Sequence, residues 1–101
     1  MHIVEINGTN IDLTEAIKDH VTEKLGKIAS LLEGIEPADA RLDLGKTTHH
    51  HHKGDVYRAE VNLQLPGAVL RAEETTEDLY VAIDGMVHKL RTQVVKWKET
   101  H

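Results

Sequence analysis

The chain has 101 residues, no cysteine and a formal net charge of −5 with histidine neutral. Its length suits one domain with one modest core, and the missing cysteine excludes disulfides, thiolate metal ligands and a cysteine nucleophile. The acidic balance argues against a non-specific nucleic-acid binder, whose domain is normally basic, although local charge distribution matters more than the total.

In chain order, Val4 and Ile6 alternate with Ile3 and Glu5, which predicts a short strand with one buried face. Gly8, Asn10 and Asp12 mark a turn, and Thr14 is placed to cap a helix. Ile17, Val21, Leu25, Ile28 and Leu32 then recur at helical spacing, predicting a helix over residues 14–33 with Glu15 in its first turn and Lys24 and Lys27 in its second half. Gly34 is the expected C-cap, and Pro37 prevents continuation. Ala40, Leu42 and Leu44 alternate with Arg41 and Asp43 as a second strand. Tyr57, Ala59, Val61 and Leu63 alternate with Arg58, Glu60 and Asn62 as a third. Leu65-Pro66-Gly67-Ala68 reads as a hairpin, after which Leu70 and Ala72 point inward on a fourth strand and Arg71 and Glu73 outward.

The outward rows mix signs, as cross-strand pairing on a solvated face requires. Thr75 or Thr76 is the expected cap of the last helix, with Glu77 and Asp78 in its first turn. In that helix Leu79, Ile83, Met86, Leu90, Val94 and Trp97 share one face. Lys89 and Lys96 lie seven apart on one flank of this stripe, and Arg91 and Lys98 seven apart on the other. The order is β-α-β-β-β-α, and its simplest packing is an α+β domain, residues 1–101, with both helices on one face of a four-stranded sheet.

Only Tyr57, Tyr80 and Trp97 are aromatic, so aliphatics must build the core, and the three are too scattered for a platform that stacks successive bases. Tyr80 and Trp97 are read as anchors at the edge of the core. No apolar run approaches the ~20 residues of a membrane span, and the N-terminus lacks the pattern of a signal peptide. These features and the lack of cysteine fit a cytoplasmic protein.

Enzymatic readings find no residues to carry them. The single serine, Ser30, falls inside the first predicted helix without a GxSxG elbow, and no GxGxxG or GxxxxGK[ST] string occurs. Glu73, Glu74, Glu77 and Asp78 resemble an acid–base cluster, but a place at a helix start explains them through the dipole.

His49-His50-His51-His52 is an internal run. In an extended segment only alternate members share a face, so His49 and His51 are the weak candidates for a metal, short of the three or four ligands a site needs. Proton sensing is a further reading of the run. A solvated polar turn between the second and third strands is the expectation, with no cofactor.

Several strings carry a family resemblance: Ile6-Asn7-Gly8 before the first helix, VTEKLGK over 21–27, LRAEE over 70–74, and DLYVAID over 78–84 followed by Lys89-Leu90. In their order and spacing they resemble the ribosome hibernation promoting factor family, also called ribosome-associated inhibitor or sigma-54 modulation proteins. The resemblance covers nearly the whole chain. It implies a fold similar to a double-stranded-RNA-binding domain. It further implies binding to the small ribosomal subunit, through 16S rRNA and nearby ribosomal proteins, in the channel used by mRNA and tRNA, with translation silenced by occupancy and nothing catalysed. Carried over residue by residue, Lys24 and Lys27 match the family's basic positions late in the first helix, and Lys89, Lys96 and Lys98 those of the last. The family pattern Lys-Leu-x-Arg-Gln departs here to Lys89-Leu90-Arg91-Thr92-Gln93, which moves the arginine by one position, about 100° around a helix.

Long members carry a second, dimerising domain, and LRAEETTEDLY looks more like long members than short ones. This resemblance therefore allows the chain to be the N-terminal piece of a longer protein. The expected rRNA contacts are Lys24, Lys27, Lys89, Arg91, Lys96 and Lys98, made by a monomer with no membrane and no small-molecule substrate. Antiparallel alignment of the two helices is expected to merge their basic margins. The alternative from another class is a protein-interaction module of the same fold.

Overall fold

In the computed structural model, which describes residues 1–47 and 56–101, the elements are β1 (His2–Thr9), α1 (Glu15–Ala29), β2 (Asp39–Lys46), β3 (Tyr57–Leu65), β4 (Ala68–Thr76) and α2 (Leu79–Glu99). The strands form one sheet in the order β1-β2-β3-β4, parallel between β1 and β2 and antiparallel elsewhere. Period-2 patterning decides the two faces. Ala40, Leu42 and Leu44 of β2, Ala59, Val61, Leu63 and Leu65 of β3, and Ala72 of β4 all point into a single core. Ile17, Val21, Leu25 and Ile28 of α1 and the apolar stripe of α2 close it from the same side. The expected α+β arrangement, with both helices on one face, is therefore what forms.

Four local expectations change. In β1 the register passes from Ile3↔Ala40 directly to Glu5↔Arg41, so Val4 is the extra residue of a bulge. Ile3 and Ile6 consequently both pack against the core, while Val4, expected to share a face with Ile6, is 40% exposed. The first helix starts as expected, with the Thr14 hydroxyl accepting from the Ile17 amide at 3.2 Å. It ends at Ala29, however, and its last turn tightens into a 3-10 turn over Ser30–Leu32, leading to Gly34 at φ +77°.

The last helix is capped by Asp78 rather than by a threonine: its Oδ1 accepts from the Tyr80 and Val81 amides at 2.8 and 3.2 Å. Thr75 and Thr76 remain in the β4 ladder, where the Thr76 carbonyl accepts from the Val56 amide at 3.1 Å. Asp78 therefore sits just before the first turn instead of inside it. Replacing Asp78 by alanine leaves two amides of that turn without their acceptor and is expected to cost about 0.5–2 kcal/mol, read as a lower thermal midpoint.

The fourth change concerns helix direction. His20 meets Asp84 and, further along in the direction of both helices, Leu31 meets Lys98, so α1 and α2 run parallel rather than antiparallel. The cause is topological: β1, β2 and β4 point the same way, and each helix returns along the sheet from a strand of that set.

The hairpin forms where expected, with Pro66 and Gly67 as its two loop residues and Gly67 at φ +72°, a conformation that glycine adopts without the penalty of a Cβ. The uncovered face of the sheet carries the mixed charges. Glu60 and Glu73 are register partners on β3 and β4, and Arg58 binds both, donating from Nη2 to Glu60 at 2.6 Å and from Nε to Glu73 at 3.1 Å. The Glu73 hydrogen bond, above all, holds the Arg58 guanidinium above its ordinary value, with burial opposing and Glu60 assisting. This face is self-neutralising, as the alternation of signs implied.

Candidate nucleic-acid interface

The stripe Leu79, Ala82, Ile83, Met86, Val87, Leu90 and Val94 turns one side of α2 to the sheet and so assigns its two flanks. The flank carrying Lys89 and Lys96 lies over the edge of β4. There Lys89 Nζ donates to the Glu73 carbonyl at 3.0 Å and sits 3.4 Å from Glu74 Oε2, while Gln93 Nε2 donates to the Arg71 carbonyl at 2.6 Å. These contacts satisfy carbonyls along an edge strand that would otherwise remain open to pairing. They depend on close approach at Gly85, where a Cβ would lie 2.8 Å from Glu74 Cγ. Lys89 is thus tied into the fold, whereas Lys96 is exposed beside Leu70, Gln93 and Trp97.

The other flank faces α1. Asp84, Arg91 and Lys98 recur at seven-residue steps and therefore share it. At one end Asp84 Oδ1 lies 2.8 Å from His20 Nε2 and 3.9 Å from Lys24 Nζ. At the other, Lys98 Nζ donates to the Leu31 carbonyl at 2.6 Å, completing a backbone acceptor at the end of the first helical segment. Lys27, between Lys24 and Leu31 in sequence, projects from the same margin and is exposed, as is Arg91. Parallel packing therefore brings Lys24, Lys27, Arg91 and Lys98 to one interhelical seam. Lys89 and Lys96 stand apart on the opposite flank.

Two seam residues were not singled out from sequence, His20 and Asp84. The seven-residue spacing from Asp84 through Arg91 to Lys98 was a readable signal, but the identity of the flank that meets α1 was not. Tyr80 completes that end, its ring edge-on to His20 with centroids 4.9 Å apart. Trp97 is the expected anchor at the edge of the core, partly buried against it, whereas Tyr80 is 39% exposed.

No polar or charged side chain is buried among the described residues, and no group of three or more His, Cys, Asp or Glu could hold a metal there. The candidate ligands His49 and His51, and the turn expected around them, lie outside the described residues. No helix is long and apolar enough to cross a membrane.

The architecture is that of an α+β domain with one solvated sheet face and one helical face that gathers cations between two parallel helices. The family model described as "Sigma 54 modulation protein / S30EA ribosomal protein" matches residues 4–101, and the chain belongs to that family. It is 33% identical over 98 residues to the ribosome hibernation promotion factor of Deinococcus radiodurans, covering 97% of this chain and 50% of that protein. It is 36% identical over 94 residues to the factor of the same name from Staphylococcus aureus, covering 93% of this chain and 47% of the relative. The chain thus spans about half the length of these curated relatives.

Among solved structures, the N-terminal domain of Protein Y from Thermus thermophilus superposes with a TM-score of 0.81 at 36% identity, covering 96% of this chain and 99% of that one. A ribosomal subunit interface protein from Coxiella burnetii, at 22% identity, shares the fold with a TM-score of 0.70 over 95% of this chain and 99% of its own.

Proposed function

We propose that this domain binds the small ribosomal subunit in the channel that mRNA and tRNA otherwise occupy, and represses translation by filling it. The observation that carries the proposal is the seam. On a chain of net charge −5, the parallel helices bring Lys24, Lys27, Arg91 and Lys98 to one margin, where they can track successive phosphates of 16S rRNA. Lysines serve there as flexible point charges, and Arg91 offers a planar fork that fits a phosphate bidentately. Lys96 and Lys89 form a secondary margin for phosphates or ribosomal proteins on the other flank. Family membership supports the reading, as do two relatives whose names refer to ribosome hibernation. The domain acts by occupancy, in the cytoplasm where ribosomes work, and needs no cofactor and no reacting group.

Sedimentation with purified 30S subunits across a salt series tests this. With Lys24 paired to Asp84, phosphate contacts from the other three seam cations predict a log–log salt slope of about −2 to −3, so that raising salt about fourfold weakens binding roughly 20- to 40-fold. Bound protein is also expected to be displaced by mRNA with cognate tRNA. Binding that ignores both salt and mRNA would remove the proposal and leave a protein-interaction module.

A further inference from the structure

The cations of the seam are accompanied by one carboxylate, Asp84, and one histidine, His20. Both His20 Nε2 and Lys24 Nζ approach the same oxygen of Asp84, at 2.8 and 3.9 Å. With His20 neutral, the carboxylate has Lys24 as its nearest full cation, and the seam carries four positive groups against one negative. A proton on His20 places a full positive charge at the shorter distance. Asp84 is then neutralised by the histidine, and Lys24 is free to turn towards a phosphate.

We infer that Asp84 is a proton-gated plug in the seam: it occupies Lys24 while His20 is neutral, and releases that cation to RNA phosphate once His20 is protonated. The inference deepens the ribosome-binding proposal and rests on it. Histidine is the side chain suited to such a gate, because its charge changes between about pH 5 and 8. The groups facing His20 are Tyr80 and Asp84 from α2 and Lys24 one turn along α1. Asp19, Glu23 and His88 are exposed around them, and beneath lies a core without a buried charge among the described residues. Tyr80 holds the imidazole edge-on, which restrains the ring beside the carboxylate. Phosphate binding and proton uptake are then linked with a definite sign. RNA affinity rises as pH falls, and bound RNA favours the protonated histidine.

The test compares wild type, His20→Gln and Asp84→Asn for binding to purified 30S subunits at pH 7.5 and 5.5, at fixed ionic strength near 0.1 M, with melting curves at both pH values to confirm folding. One additional phosphate contact at about 0.1 M salt is a factor of roughly 5–8. Wild-type affinity is expected to rise by that factor more than His20→Gln affinity on acidification. Asp84→Asn, with the plug discharged, is expected to bind about 5–8-fold tighter than wild type at pH 7.5. Equal pH dependence in wild type and His20→Gln, or an Asp84→Asn protein that binds no tighter, overturns the gate while salt-dependent binding leaves the parent proposal standing. Loss of salt-dependent binding in the wild type removes the parent proposal itself.

Discussion

Leu90→Ala is expected to lower the stability of the domain by about 2–5 kcal/mol, through the loss of its Cγ, Cδ1 and Cδ2 carbons and the cavity they leave. Leu90 is fully buried at the middle of the α2 stripe, among Ile83, Met86, Val87 and Val94. Alanine is the better helix former, so propensity offers no rival explanation for a loss. A domain of this size has only about 5–15 kcal/mol in total, so the change removes a large share. The thermal midpoint should fall by roughly 10–25 °C.

Val81→Ala is the control, since Val81 lies on the same helix but is 55% exposed; it should change stability by less than about 0.5 kcal/mol. Equal midpoints for the two variants would mean that α2 is not held to the sheet by this stripe. The assignment of its two flanks would fall with it.

Reversing charge at the centre of the seam, Lys27→Glu with Arg91→Glu, should weaken binding to 30S subunits by at least about 25- to 60-fold near 0.1 M salt. Each lost phosphate contact removes about 0.7–0.9 from the salt slope, which at that salt is about 5–8-fold apiece. Both side chains are exposed, and neither is in an ion pair with another described residue, so the fold should tolerate the change, at a cost of about 0.3–1 kcal/mol for an anion in the last turn of α1. Lys96→Glu supplies the contrast. It sits on the opposite flank of α2, and at about 0.1 M salt the field of an exposed charge is screened over roughly 10 Å. Its effect should therefore stay below that of one contact, under about fivefold. If Lys96→Glu matches the double reversal, the footprint runs over the β4 side and the seam is not the interface.

The element order, the faces of β2, β3 and β4 and the two flanks of α2 were legible because each rests on local periodicity. Leu42 and Leu63 are buried, as alternation requires. Lys89 with Lys96 and Arg91 with Lys98 lie on the flanks that helical spacing dictates. The bulge at Val4 was not legible, because only pairing with β2 shows which residue is skipped. Nor was the cap at Asp78: a threonine two residues earlier is an equally good acceptor until the β4 ladder claims its backbone. The site divides in the same way. Six cations could be named from sequence, yet the contacts that distinguish Lys89, bound to the edge of β4, from Arg91, exposed on the seam, are contacts between distant segments.

Sequence alone determined which residues are apolar at periods of two and 3.6, and hence the elements, their buried faces and the family to which the chain belongs. The tertiary structure decided the direction of one helix against the other. That direction is set by strand order and by the parallel pairing of β1 with β2, neither of which local periodicity encodes. Because the helices run parallel, Asp84 meets His20 and Lys24, and Lys98 meets the carbonyl of Leu31. Charges spread over some seventy positions of chain become neighbours only when two amphipathic helices bury their stripes on the same sheet.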